Sequence, residues 1–367
     1  MGWYLPRAPL SETGQWSDLA LLICALIALI QIIRGQMIPV LTDKYLAGAL
    51  AFALFFAAWT ALSTAVNGSS WWLTLGTFEL ATIYWLTTQV TREPGLREKI
   101  LRVWIISATA LGALGFIGVG LDLAGFHTPM AGLGGAFSTR LRIHGPCISP
   151  NMLASLCLVP WLALYAPTGR RLFKSGTRYL LLLFLSCTLL FTLSHALLAV
   201  ALGVLLLRAR KSKPWLITGV LLLLTLDFLS MRFHWTSAEL GLAPSLTPGL
   251  RWIILGQAWH NVALNPIFGS GPDSLAAVVT GFPTPDSPDT GLNAHCTPLA
   301  IAVTLGLPAL LAFGGFIWLA LRHAFAKLKP TDEFTPVLIV ACFAMLFDAL
   351  TSDHQHGRHF WLLLGLL

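Results

Sequence analysis

The sequence predicts an all-α protein: a polytopic integral membrane helical bundle of about 10–12 transmembrane helices, with an outward-facing loop region carrying short helices. Three observations lead there. Hydrophobic residues make up 56% of the 367 positions and charged residues only 11%, whereas a soluble domain carries charge at roughly a quarter of its positions. Such a chain lacks the polar side chains to cover a water-facing surface, but it can cover one facing lipid. The apolar residues fall into runs of membrane-spanning length. The charged residues between those runs alternate in character.

The runs are 18–33, 45–66, 71–90, 100–124, 147–166, 178–208, 214–231, 297–321 and 335–351, with an apolar stub at 359–367. The first follows an acidic, Trp-containing start rather than a basic one, so no cleavable signal peptide is expected. Basic residues cluster in alternate linkers: Arg34 and Lys44; then Arg92, Arg97, Lys99 and Arg102; then Arg170, Arg171, Lys174 and Arg178; then Arg208, Arg210, Lys211 and Lys213; then Arg322, Lys327 and Lys329. These linkers hold every Lys in the chain. The positive-inside rule places them in the cytoplasm. The net charge of +7 is therefore a topology signal, not a nucleic-acid footprint.

Run 178–208 is too long for one span and is basic at both flanks. It reads as two short helices turning near Ser194 and His195. The topology then closes with about eleven spans and an outside N-terminus. The whole chain, 1–367, forms one transmembrane domain, into which a long outer loop, 232–296, is inserted. A loop of that length in a compact protein is usually functional. The cysteines lie mostly inside apolar runs, as Cys24, Cys157, Cys187 and Cys342 do, and behave there as small hydrophobes.

The outer side keeps Arg7, Arg140, Arg142, Arg232, Arg251 and Arg358, and every His except His323. A face with Arg and His but no Lys suits phosphate recognition, because guanidinium offers a planar fork to phosphate oxygens and stays charged. Arg7 and Arg232, beside a terminus or a span, read as headgroup contacts. Glu79 sits mid-span, where a carboxylate costs roughly 2.5–3.5 kcal/mol on insertion scales, and reads as a structural group hydrogen-bonded inside the bundle. His354, His356 and His359, with Asp353, resemble a metal tract, but no second His or Cys cluster supports one and no metal is expected.

Three outer segments, in order, resemble the O-antigen ligase and O-antigen polymerase superfamily. The first runs from Arg142 through Gly145 to Pro150 and Asn151 at the mouth of a helix, with Ser149 where the family has Asn. The second joins Arg251 and a following amphipathic helix to Asn265-Pro266-Ile-Phe-Gly269-Ser-Gly271. The third runs from His295 through Leu299 into Leu305-Gly306-Leu307. The match covers roughly residues 140 to 320. Cys296 departs from the usual Asn, Thr304 stands where many members have Glu, and Ser194-His195 stands where Ser-Arg is common.

The resemblance implies transfer of a glycan from undecaprenyl diphosphate to an acceptor hydroxyl, of a lipid A core or another glycan, with inversion. It implies the periplasmic face of a bacterial inner membrane and no cofactor. The partners are the lipid-linked donor, a glycan or lipid acceptor, the bilayer and polysaccharide assembly proteins, with no nucleic acid. On this reading His295 is the base, Arg142 and Arg251 grip the diphosphate, and Arg140 and Asn151 assist. A disulfide between Cys147 and Cys296 is conceivable if the first and third motifs converge. The competing classes are a transporter or flippase of an anionic lipid-linked sugar, which calls for broken helices with ionisable groups at the midplane, and an inactive scaffold of a polysaccharide assembly complex.

Overall fold

The structure, a computed structural model, describes residues 16–34, 42–93, 95–126, 131–133, 141–147, 149–208, 219, 248–272, 296–329, 332–352, 354 and 357–367. Within them the helices are α1 (Trp16–Ile33), α2 (Lys44–Asn67), α3 (Trp71–Val90), α4 (Leu96–Leu123), α5 (Pro150–Tyr165), α6 (Thr168–Leu172), α7 (Ser175–Thr192), α8 (Ala196–Arg208), α9 (Pro248–Leu264), α10 (Thr297–Leu305), α11 (Leu307–Ala326), α12 (Phe334–Asp348) and α13 (Arg358–Leu366). The chain is an all-α membrane bundle. Among the described residues α2, α4, α7 and α11 are long and apolar enough to cross a membrane, and α5, α8 and α12 are shorter apolar helices.

The apolar runs become helices because their ends are marked. Asp43 starts α2, its carboxylate accepting from Tyr45 and Leu46 N–H, and Ser149 starts α5 by accepting from Met152 N–H with Pro150 in the first turn. Run 178–208 divides as expected. Helix α7 stops at Leu193, which adopts φ 48°, and α8 begins at Ala196. The sequence did not announce one element, a two-stranded antiparallel hairpin of β1 (Ala131–Leu133) and β2 (Leu141–Ile143), which pairs Gly132 with Arg142. Two short strands joined by a hairpin are below the length at which alternation can be read.

Helix α2 packs along α11, and α3 packs on α2 and α13. Small side chains allow the first contact: Ala49, Ala53 and Ala57 of α2 and Ala309, Ala312 and Ala320 of α11 are all buried. Between membrane helices, packing of this kind replaces the hydrophobic effect as the force for association. Aromatic rings fill the space among α2, α11 and α13, with Trp361 stacked on Phe316 at 4.6 Å and Phe56 against Phe313 at 5.4 Å. Large apolar side chains such as Ile30, Leu183, Leu311 and Trp318 point outward, as a lipid-facing surface requires.

The basic linkers are tied to one another. Arg97 pairs with Asp332 at 3.8 Å and donates to Thr335 at 3.0 Å. Arg171 pairs with Glu333 at 3.0 Å, and Arg102 donates to the Arg171 carbonyl. Asp43 meets His323 and Lys327 at 3.2 and 3.5 Å. Every one of these contacts joins linkers that the charge pattern assigns to one face.

Candidate functional site

The second and third motifs, remote in sequence, interlock through their glycines. Gly306 sits between α10 and α11 with φ 86° and ψ 174°, a region essentially reserved for glycine. A Cβ there would lie 1.9 Å from the Ile267 carbonyl oxygen. Gly269, at φ 63°, lies equally close to α10, since its Cβ would meet the Thr304 carbonyl carbon at 2.4 Å. The backbones approach so closely because they bond: Ser270 N–H donates to Val303 O at 2.8 Å, Gly271 N–H to Thr304 O at 2.9 Å, and Leu307 N–H to Pro266 O at 2.8 Å.

Helix α2 closes this lock from the other side. Trp59 Nε1 donates to Leu305 O at 3.0 Å, Ser63 Oγ donates to Phe268 O at 2.6 Å, and the Trp59 ring stacks on Phe268 at 5.4 Å. The last carbonyls of α10 thus all find donors, which a helix end inside a bundle needs. Thr304, where many family members carry Glu, is buried and donates to Ala300 O. The lock sets the end of α9, the helix that contains Arg251, against the end of α10, which begins two residues after His295.

The first motif folds onto a different helix end. Arg142 leaves β2 and is 3% exposed. Its Nε donates to Thr192 O at 2.6 Å, and one terminal nitrogen donates to Leu193 O at 3.2 Å and to Asn151 Oδ1 at 3.0 Å. Arg142 and Asn151 are therefore brought together, with the α7–α8 turn at Ser194 and His195 beside them. The fork expected for phosphate is directed at carbonyl oxygens instead. Two more features frame this corner. His144 Nδ1 is hydrogen-bonded to Cys147 O at 2.8 Å, and the Cys147 side chain is buried. No disulfide joins Cys147 to Cys296.

Glu79 has a partner that sequence reasoning missed. Arg358 at the start of α13 pairs with its two oxygens at 2.8 and 3.0 Å, across 279 residues of chain, so no local spacing signals it. His354 and His359 face Ser155 rather than one another's ligand positions. His295 and Arg140 lie outside the described residues, as do His356 and Asp353, while Arg251 falls near the start of α9.

Residues 180–314 match the family model described as O-antigen ligase. That stretch of the chain is similar to the O-antigen ligases. No curated protein matches the chain. The matched stretch runs from α7 into α11, so it contains Arg251, the glycine lock and His295, while Arg140, Arg142 and Asn151 precede it. The match supports an O-antigen ligase- or polymerase-like function in membrane glycan processing.

Proposed function

We propose that the protein is a membrane glycosyltransferase that moves a glycan from undecaprenyl diphosphate to an acceptor hydroxyl, of a lipid A core or another glycan. The reaction takes place on the periplasmic side of a bacterial inner membrane, with inversion and without metal. One observation carries this reading: the region that matches the O-antigen ligases contains both Arg251 and His295, and the Gly269–Gly306 lock joins the end of the helix that contains Arg251 to the end of α10, the helix that follows His295 in the chain.

The chemistry sets three demands. The acceptor hydroxyl must lose a proton, the leaving diphosphate must be stabilised, and both must be held in line. His295 takes the proton. Its neutral ring has the lone pair that this step needs. Arg251 supplies the fork for the diphosphate, assisted by Arg140. Arg142 contributes through its fixed charge, because its hydrogen bonds hold the end of α7 and orient Asn151. A buried charge acts over a longer range than an exposed one.

A transporter is the weaker alternative on structural grounds. Its hallmark is a broken helix exposing ionisable groups at mid-depth. Among the described residues, the break at Gly306 is satisfied by backbone groups, Trp59 and Ser63, and Glu79 is paired with Arg358.

The test combines purified protein, an undecaprenyl-diphosphate glycan and an acceptor, with products resolved on a gel. His295→Ala is expected to lose roughly 100- to 10,000-fold in rate, and Arg251→Ala roughly 100- to 1000-fold. Equal product from wild type and His295→Ala removes the base assignment. A wild-type protein that transfers nothing to any glycan or lipid acceptor removes the transferase reading.

A further inference from the structure

The bundle buries a connected set of polar side chains that the proposed transfer does not use. Ser155 of α5, Asp348 at the end of α12, His354 in the following turn and His359 of α13 are each at most 3% exposed. They form a chain: His359 Nε2 is hydrogen-bonded to Ser155 Oγ, Ser155 Oγ to His354 Nδ1 at 3.4 Å, and His354 Nε2 to Asp348 Oδ2 at 2.8 Å. One proton arrangement satisfies every link with neutral rings. His359 Nε2–H donates to Ser155, the Ser155 hydroxyl donates to His354 Nδ1, and His354 Nε2–H donates to Asp348. In a buried setting such a chain holds its members firmly, since each lost link strands a polar atom.

What the chain holds is the end of α12 with residues 349–352 and 354, and these grip one residue. The His354 N–H donates to Thr297 Oγ1 at 2.8 Å. The Thr297 hydroxyl donates to Ser352 O at 2.8 Å, and the Thr297 N–H donates to Ala349 O at 2.8 Å. Three bonds thus clamp the first residue of α10. Thr297 follows His295 by two positions.

We propose that Thr297 is a positioning residue for the transfer: the clamp, stiffened by the Asp348–His354–Ser155–His359 chain, fixes the anchor from which the segment bearing His295 departs. The inference rests on the reading of His295 as the base. Thr297 touches no reacting atom and acts only through the place it gives the chain. A hydroxyl is required because it donates to Ser352 while accepting from His354, which a methyl group of the same size cannot do.

The native thiol of Cys296, half-buried beside Thr297, reports on the clamp without any need for activity. In the full-length protein in detergent, Thr297→Val is expected to raise maleimide labelling of Cys296, followed by peptide mass spectrometry, roughly tenfold. That is what losing a buried hydrogen bond does to a local opening equilibrium. The same variant is expected to lower kcat roughly tenfold while KM for the donor stays within about twofold, because misplacement acts on the chemical step. Thr297→Ser restores both. His354→Gln, which cuts the chain from the other end, gives the same pattern and covers the case in which Thr297→Val does not fold. Unchanged Cys296 labelling in the folded variants overturns the clamp, and raised labelling with unchanged kcat overturns its part in positioning. A wild type that transfers nothing instead overturns the reading of His295, and the labelling ratio still decides whether the clamp exists.

Discussion

Arg142 and Arg178 show how little a residue's identity says about its work. Arg178 donates from Nε to Leu164 O at 2.6 Å and from a terminal nitrogen to Tyr165 O at 2.8 Å, closing the end of α5. Arg142 closes the end of α7 in the same way. A cation at a helix C-terminus meets both the unsatisfied carbonyls and the negative end of the dipole. The charge pattern placed the two arginines on opposite faces and the motif singled out Arg142 alone, but neither signal reveals a capping role. Lysine keeps the charge and loses the fork. Arg142→Lys is therefore expected to destabilise the folded protein by on the order of 1.5–3 kcal/mol for each charged hydrogen bond lost, read as a lower midpoint in a thermal melt in detergent. A midpoint equal to wild type would show that the carbonyl contacts contribute nothing.

At the scale of elements, the helix pair α10 and α11 carries the most information. The sequence read 297–321 as one apolar span, and the structure breaks it at Gly306. The break was half-visible, because Leu305-Gly306-Leu307 belonged to the third motif. Its reason was not, because the carbonyl of Ile267 that occupies the space of a Cβ comes from a segment nearly forty residues earlier. Gly314, inside α11, has nothing within 4 Å of its missing Cβ. Gly306→Ala is expected to abolish the monodisperse size-exclusion peak, whereas Gly314→Ala changes stability by less than about 1 kcal/mol, in the stabilising direction that helix propensity gives. Similar behaviour of the two variants would mean that the lock with Pro266–Gly271 is not needed for folding.

At the scale of the molecule, ion pairs join basic linker to basic linker, as with Arg97 and Asp332 or Arg171 and Glu333. The residues of the three motifs are tied among other segments: Arg142 to the α7–α8 turn, Gly271 to α10, and Thr297 to the turn after α12. This division is what alternate-linker topology demands, and the direction each face takes is open to experiment. In a chain otherwise free of exposed cysteine, Trp259→Cys, at a side chain 68% exposed, is expected to react with a membrane-impermeant maleimide in intact spheroplasts. Lys327→Cys, with its side chain 57% exposed, should react only after permeabilisation. The reverse order would put the proposed site on the cytoplasmic side and remove the periplasmic reading with it.

The sequence by itself determined the class, the approximate spans, the hairpin at Ser194 and His195, and the three segments to watch. These follow from composition, run length and charge in linkers, all of which are local sums along the chain. Only the tertiary structure decided which of those residues meet. The pairing of Glu79 with Arg358, the closure of α7 by Arg142, the glycine lock and the clamp on Thr297 each join positions far apart in the chain. In the sequence Asp348 and Ser155 are no more than polar residues inside apolar runs. Their partners were fixed by helix packing, because a buried polar group must be satisfied by whatever the fold brings within reach.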